Sequence, residues 1–430
     1  GIQGNKTNTF ANTFLNYTTL NSGHQSLYSR SNFIETSPTY DMGAYAGGSN
    51  WQMLSLYSNA NLFIGGFNSD SQPRAAMLDS SGLFVNNRTA AAAANLWRNG
   101  SKLIQSTQSV GSIPNFTNYI GAVNSSGGPT QYASKNYAFS SIGDGLTDTE
   151  AANYYTAVQT FQTTLGRHVG VPIVSDSDAQ AFLNAAVIED VTQANAVNTL
   201  VTDLKGYGIW TKMKAIYPFI GGTSTQHKFN LKDPRDLDAA FRLVFNGGWT
   251  HSTTGALPNG TNGYADTFYN PFIQKTVDDD AHICVYSRTN SLLPNNVDIG
   301  GQGSSYQILS LRRSDVAGNS YFGINTNASF VVLNADTDTA AMYLGTRTGT
   351  TITGWRNSTK VGTTVSAALV RPNLNFILSG YNSNGSILGG WYSNRQQALA
   401  SIGDGLTDTE AANYYTAVQT FQTSLNRQVV

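Results

Sequence analysis

The sequence predicts a mainly β protein: two tandem antiparallel β-sandwich jelly rolls, each closed by a short helix and joined by a small α-helical connector. Three observations predict it. Residues 141–163, SIGDGLTDTEAANYYTAVQTFQT, return letter for letter at 401–423, which marks a tandem duplication and fixes where each unit ends. Upstream of each copy lie short alternating segments, separated by turn-forming clusters such as AGGSN, NSDSQP, RNGS and NSNGS; many short strands with polar turns read as a sandwich. Helical patterns are missing between those segments, whereas a parallel α/β sheet would need one between most strands. The expected division is 1–170 for the first sandwich, 171–227 for the connector and 228–430 for the second sandwich.

The repeated segment predicts the closing helix of each unit. Thr147 and Glu150, and again Thr407 and Glu410, form a T-x-x-E capping box. Ala151, Tyr155, Val158, Phe161 and Leu165 then make one apolar stripe, repeated from Ala411 to Leu425. Comparing the chain with itself pairs WQMLSL (51–56) with YQILSL (306–311), Tyr28-Ser29-Arg30 with Tyr286-Ser287-Arg288, and Trp97 with Trp355. Both tryptophans are read as core. The second unit has upstream material from Phe229 to Gly260 that the first lacks, with a strand candidate in AFRLVF (240–245). The natural polypeptide is therefore expected to be longer at its N-terminus. In the connector, helices are expected at 176–186, capped at Ser175 or Asp176, at 192–205 with Gly206 as a stop, and at 209–215.

Composition excludes several function classes. Only 12% of residues are charged and the formal net charge is −1, so the basic footprint of a nucleic-acid binder is missing. No apolar run is long enough to cross a bilayer. Cys284, the single cysteine, rules out an internal disulfide and a cysteine-based zinc cage; its place in HICVYSR reads as buried core.

The order of a Tyr-Ser-Arg strand, a W-R-N turn, an aromatic strand and the closing "G-x-x-L-[ST]-x-x-E" pattern at 143–151 and 403–411 resembles the laminin-G-like branch of the concanavalin-A-like lectin/glucanase superfamily. The stretch IYPFIGGTSTQHKFNLKDPRDLDAAF (216–241) and NGTNGYADTF (259–268) are similar to segments of tailed-bacteriophage structural proteins. These resemblances imply a virion-surface, extracellular place as a fibre or decoration protein, with other virion proteins and host-surface glycans as partners. An alternative with the same modules is a bacterial cell-surface adhesin. A homo-oligomer is compatible with either, although no heptad pattern argues for one.

The residue types that could carry chemistry are the carboxylates, histidines and aromatics. Glycosidases need two carboxylates flanking the scissile bond, but the four glutamates, Glu35, Glu150, Glu189 and Glu410, are capping residues or stand alone. The superfamily's E-x-D-x-E strand motif is missing, so an enzyme is not expected. Histidines 24, 168, 227, 251 and 282 read as scattered, none with a counterpart in the other repeat. Laminin-G-like sandwiches often hold calcium at the rim; Asp266, Asp278, Asp279, Asp280 and Asp298 are the oxygen ligands for such an ion, set against a plain solvated acidic turn. Carbohydrate would be met by aromatic faces with neighbouring amides, and the candidates are Trp51, Tyr132, Tyr306, Trp391 and Tyr392.

Overall fold

In a computed structural model the chain is described over residues 1–33, 35, 38–48, 51–58, 62–69, 72–77, 79–291, 296–313 and 318–429. Parts of the expected turns AGGSN and NSDSQP, at 49–50 and 70–71, lie outside these residues. Two compact units divide between Ile173 and Val174. Each is a mainly antiparallel β-sandwich of two sheets closed by a helix, as the repeat predicted.

In the first unit, one sheet runs in the order Ile2–Gln3, Asn136–Gly143, Gly23–Ser29, Gly82–Ala90, Ala93–Arg98, Ser101–Ser106. The facing sheet is centred on Met42–Tyr45, Trp51–Ser58 and Leu62–Ser69. Leu27, Leu54, Phe63, Phe84 and Leu96 fill the space between them. An amide ladder also crosses this core: Gln25 donates to Asn118 at 2.6 Å, Asn118 to Gln52 at 3.3 Å, and Gln52 to Asn68 at 2.6 Å. Each of these amides has at least one hydrogen-bond partner, which is what makes its burial tolerable. In the second unit Ile283 and Phe376 take the places of Gln25 and Asn118, so apolar packing replaces that half of the ladder, while Gln307 and Asn325 stay buried at the places of Gln52 and Asn68.

The second unit repeats this plan with Asp280–Ser287 between Gln397–Gly403 and Ala341–Thr348 in one sheet, and Ile299–Gln302, Tyr306–Arg313 and Asn319–Thr326 in the other. Both capping boxes form as expected, on helices Asp148–Thr164 and Asp408–Ser424. Trp97 and Trp355 are buried, as expected.

The expected connector is not a body of its own. Helix Ser177–Ala186, capped by Asp176, and helix Val191–Gly206 do form, but both belong to the second unit. The longer one packs on the closing helix Asp408–Ser424. The helix expected at 209–215 is instead a single 3-10 turn, Trp210–Lys212, followed by strand Met213–Tyr217, which pairs antiparallel with Gln397–Gly403. Free backbone donors on that neighbouring strand decide the conformation, overriding local propensity. In AFRLVF only Val244 and Phe245 are strand, in Val244–Asn246; Asp238–Ala240 is a 3-10 turn ended by Phe241 at a φ of 60°.

The predicted apolar stripe is buried in one unit and half open in the other. Phe421 is 1% exposed, whereas its sequence-identical counterpart Phe161 is 47% exposed. Met213–Tyr217 and Val191–Gly206 supply the cover in the second unit, and among the described residues no strand or helix takes their place in the first.

Candidate ligand-binding surface

Alternation places Tyr306 and Ile308 on the outer face of their sheet. Ile308 pairs with Gly323, while the neighbouring Phe322 and Ile324 point into the core. Tyr306 meets Phe330 edge-on at 5.3 Å between ring centroids. Trp391 arrives from the loop after the hairpin of Asn382–Ser383 and Ser386–Ile387, and lies 5.4 Å from Tyr381, tilted by 51°. All of them rest on Val297, Ile308 and Tyr381. The Tyr381 hydroxyl donates to Gln302, the residue paired with Tyr306 across the strands. Two predicted residues, Tyr306 and Trp391, are thus brought together, both half-buried, beside an exposed polar hairpin at 384–386. A Trp or Tyr held this way offers an apolar face at little entropic cost. Tyr392 is not part of the group; it stacks on Tyr264 at 6.4 Å.

In the first unit the same register position is taken by Trp51, which pairs across the strands with Tyr45 and stacks on it at 4.0 Å and 22°. Tyr132 stands apart from this pair. It packs near Phe10 at 6.4 Å and its hydroxyl donates to the Pro129 carbonyl at 3.2 Å. Sequence reasoning missed Tyr45, Tyr381 and Phe330. The alternation in MGAY followed by a turn into WQML would have found Tyr45, since it sets Tyr45 opposite Trp51.

The five aspartates proposed for calcium are dispersed. Asp298 is buried against Arg395 at 3.4 Å and accepts from Ser393 Oγ at 2.7 Å. Asp278 is paired with Arg371, and Asp280 accepts from Gly405 N at 2.6 Å and faces Lys275 at 3.6 Å. Asp266 accepts from Phe268 N at 2.8 Å and Asn375 Nδ2 at 3.2 Å, and Asp279 is exposed. The oxygens of Asp266, Asp278, Asp280 and Asp298 answer protein donors rather than one another, so these aspartates do not form a calcium cage. Among the described residues no three His, Cys, Asp or Glu side chains are grouped to hold a metal ion.

Among the glutamates, Glu150 and Glu410 cap helices. Glu35 is buried beside Lys6 at 2.8 Å and Lys135 at 3.6 Å. Cys284 is fully buried, and burial pushes its thiol up from the ordinary value, which suppresses the thiolate that nucleophilic chemistry needs. No described helix is long and apolar enough to cross a membrane.

The histidines correct one expectation, because His24 and His282 are counterparts. His24 Nδ1 donates to the Asp144 carbonyl at 2.7 Å, and His282 Nδ1 to the Asp404 carbonyl at 2.5 Å; Ser141 and Ser401 face the other ring nitrogens. Each ring lies against Gly143 or Gly403, where a Cβ would come within 2.8 or 2.4 Å of it. The glycines of the repeated segment are thus needed for this approach. A different pair, His227 and His251, sits with Nδ1 atoms 3.0 Å apart.

Burial lowers the His282 pKa from 6.5 to about 4 and that of His227 to about 3. For a histidine lowered on folding, the stabilisation is complete above the unfolded value near 6.5 and is lost as pH falls toward the folded value. Each is expected to cost about 2 kcal/mol of stability between pH 7 and pH 5. Urea titrations at the two pH values would check this. In His282→Asn the pH dependence is expected to shrink by one histidine's share.

Neither a protein-family model nor a curated protein matches the sequence. Solved structures with likeness include mouse laminin alpha1 chain domains LG4-5, at 11% identity over 93% of this chain and 87% of that one, with a TM-score of 0.25. Domain 4 of an extracellular arabinanase from Geobacillus stearothermophilus is 11% identical over 47% of this chain and 98% of its own, with a TM-score of 0.31. The binding domain of Paraclostridial Mosquitocidal Protein 1 is 10% identical, covering 48% and 52%, also at 0.31. Likenesses of this size carry neither ligand nor activity across to this chain.

Proposed function

We propose that this chain is a non-enzymatic adhesion and structural protein of a bacteriophage exterior, whose sandwiches hold cell-surface glycan weakly and additively. The observation that carries the adhesive part is an aromatic at one register position in both units, each with further aromatics beside it: Trp51 stacked on its cross-strand partner Tyr45 in the first, and Tyr306 packed on the same cluster as Trp391 and Tyr381 in the second, where the cross-strand partner is Gln302. Aromatic faces beside Asn-, Ser- and Gly-rich loops suit sugar rings, whose apolar faces stack while their hydroxyls take amides. Two weak sites on one chain gain avidity through effective concentration, which gives the duplication a use. The virion setting rests on the resemblance of residues 216–241 and 259–268 to tailed-phage structural proteins.

The non-enzymatic reading is supported by Glu150 and Glu410, which are engaged in caps, and Glu35, which is held in a buried ion pair, rather than facing each other across a cleft. Incubating the full chain with host-surface polysaccharide is expected to give saturable retention without release of reducing ends. Release of reducing ends would replace this reading with a glycan hydrolase, and failure to retain any polysaccharide would remove the adhesive part.

A further inference from the structure

One 23-residue sequence stands in two environments within this chain. In the second unit its helix buries Tyr414, Ala417 and Phe421; in the first, Tyr154 is half-buried, and Ala157 and Phe161 are exposed. The strand edges differ in the same way. Tyr217, Ile216 and Ala215 pair with Ala400, Ser401 and Ile402, whereas the outer edge of Asn136–Gly143 is paired only at Asn136 and Tyr137, by Gln3 and Ile2, among the described residues.

Two further observations agree. Lys212 and Lys214 of the cover bind Glu410 at 2.6 Å and Asp404 at 2.9 Å, and the counterparts Glu150 and Asp144 are exposed acids on the open face. Beside that edge the first unit has two cavities of about 230 Å³ each, which share Ile2, Ile120 and Tyr137 in their linings. In the second unit the cover places Tyr217 and Phe219 fully within the core.

We infer that the outer edge of Asn136–Gly143, with the adjoining face of helix Asp148–Thr164, is a docking surface for a polypeptide segment built like Val191–Tyr217. Its occupant is an amphipathic helix followed by a 3-10 turn and a short strand, with one lysine in the turn and one in the strand. The strand extends the sheet, the helix covers Phe161 and Ala157, and the lysines meet Glu150 and Asp144. An open edge of this kind is a template for strand addition, and the chain itself contains the matching insert.

The test adds a synthetic peptide of residues 190–217 to the full chain and follows amide exchange. Binding is expected to slow exchange at 138–143 about tenfold or more, and Phe161→Asp, on an exposed position, is expected to abolish the effect. Because the free peptide can fail to form its helix, the same segment is also joined to Gly1 through a long flexible linker, with the same protection expected. Protection in neither format would overturn the inference, as would peptide binding that Phe161→Asp leaves intact. Concentration-dependent self-association of the chain alone that protects 138–143 would overturn it too, by making a second copy the occupant.

Discussion

Arg347→Ala is expected to cost about 3–5 kcal/mol of unfolding free energy, and Arg347→Lys most of the same. The guanidinium is fully buried. Its Nε donates to the Ile324 carbonyl at 2.8 Å, and Nη1 donates to Gly349 and Ser366 carbonyls at 3.1 and 2.9 Å. Removing the fork strands these acceptors in the core, and an ammonium cannot span them. Arg88 is its counterpart in the first unit, with Nε on the Phe67 carbonyl at 2.7 Å and Nη1 on Ala91 at 2.8 Å. Both arginines tie a core strand to the turn that follows it. Urea denaturation followed by tryptophan fluorescence would measure the loss, and a cost below about 1 kcal/mol would contradict the clasp.

Phe421→Ala is expected to cost about 3–5 kcal/mol, while Phe161→Ala, the same change in the same 23-residue sequence, costs less than about 1 kcal/mol. The difference lies wholly in the cover. Phe421 is sealed on a helix packed by Val191–Gly206, and Phe161 faces outward. Thermal or urea unfolding of the two variants of the full chain gives the comparison, and equal costs would contradict the assigned burial.

Features set by local chemistry were legible in the sequence. The capping boxes depend on residues three apart, and strand alternation with polar turns carried the sandwich architecture. Features set by distant partners were not. Residues 209–215 read as helix until Gln397–Gly403 supplies the backbone groups that make Met213–Tyr217 a strand. The connector looked independent because its helices cap themselves well, yet they pack on each other and the longer one on the closing helix of the second unit. Asp298 passed for a calcium ligand because sequence shows an acid and not the buried Arg395 that neutralises it. Its counterpart Asp41, facing Lys135 at 3.4 Å, repeats the arrangement in the first unit. Among the binding candidates, Tyr306 and Trp391 lie 85 positions apart in the chain and meet on one sheet face. Tyr132 and Tyr392, chosen for loop composition, are held by other rings.

The pair of aromatic sites is the centre of this account, and binding of the full chain to immobilised host-surface glycan tests it most directly. Trp51→Ala and Trp391→Ala are each expected to weaken binding about 10²-fold or more, because losing either site removes the avidity of the linked pair, and the double variant is expected to abolish retention. Binding that survives intact in the folded double variant would contradict the account.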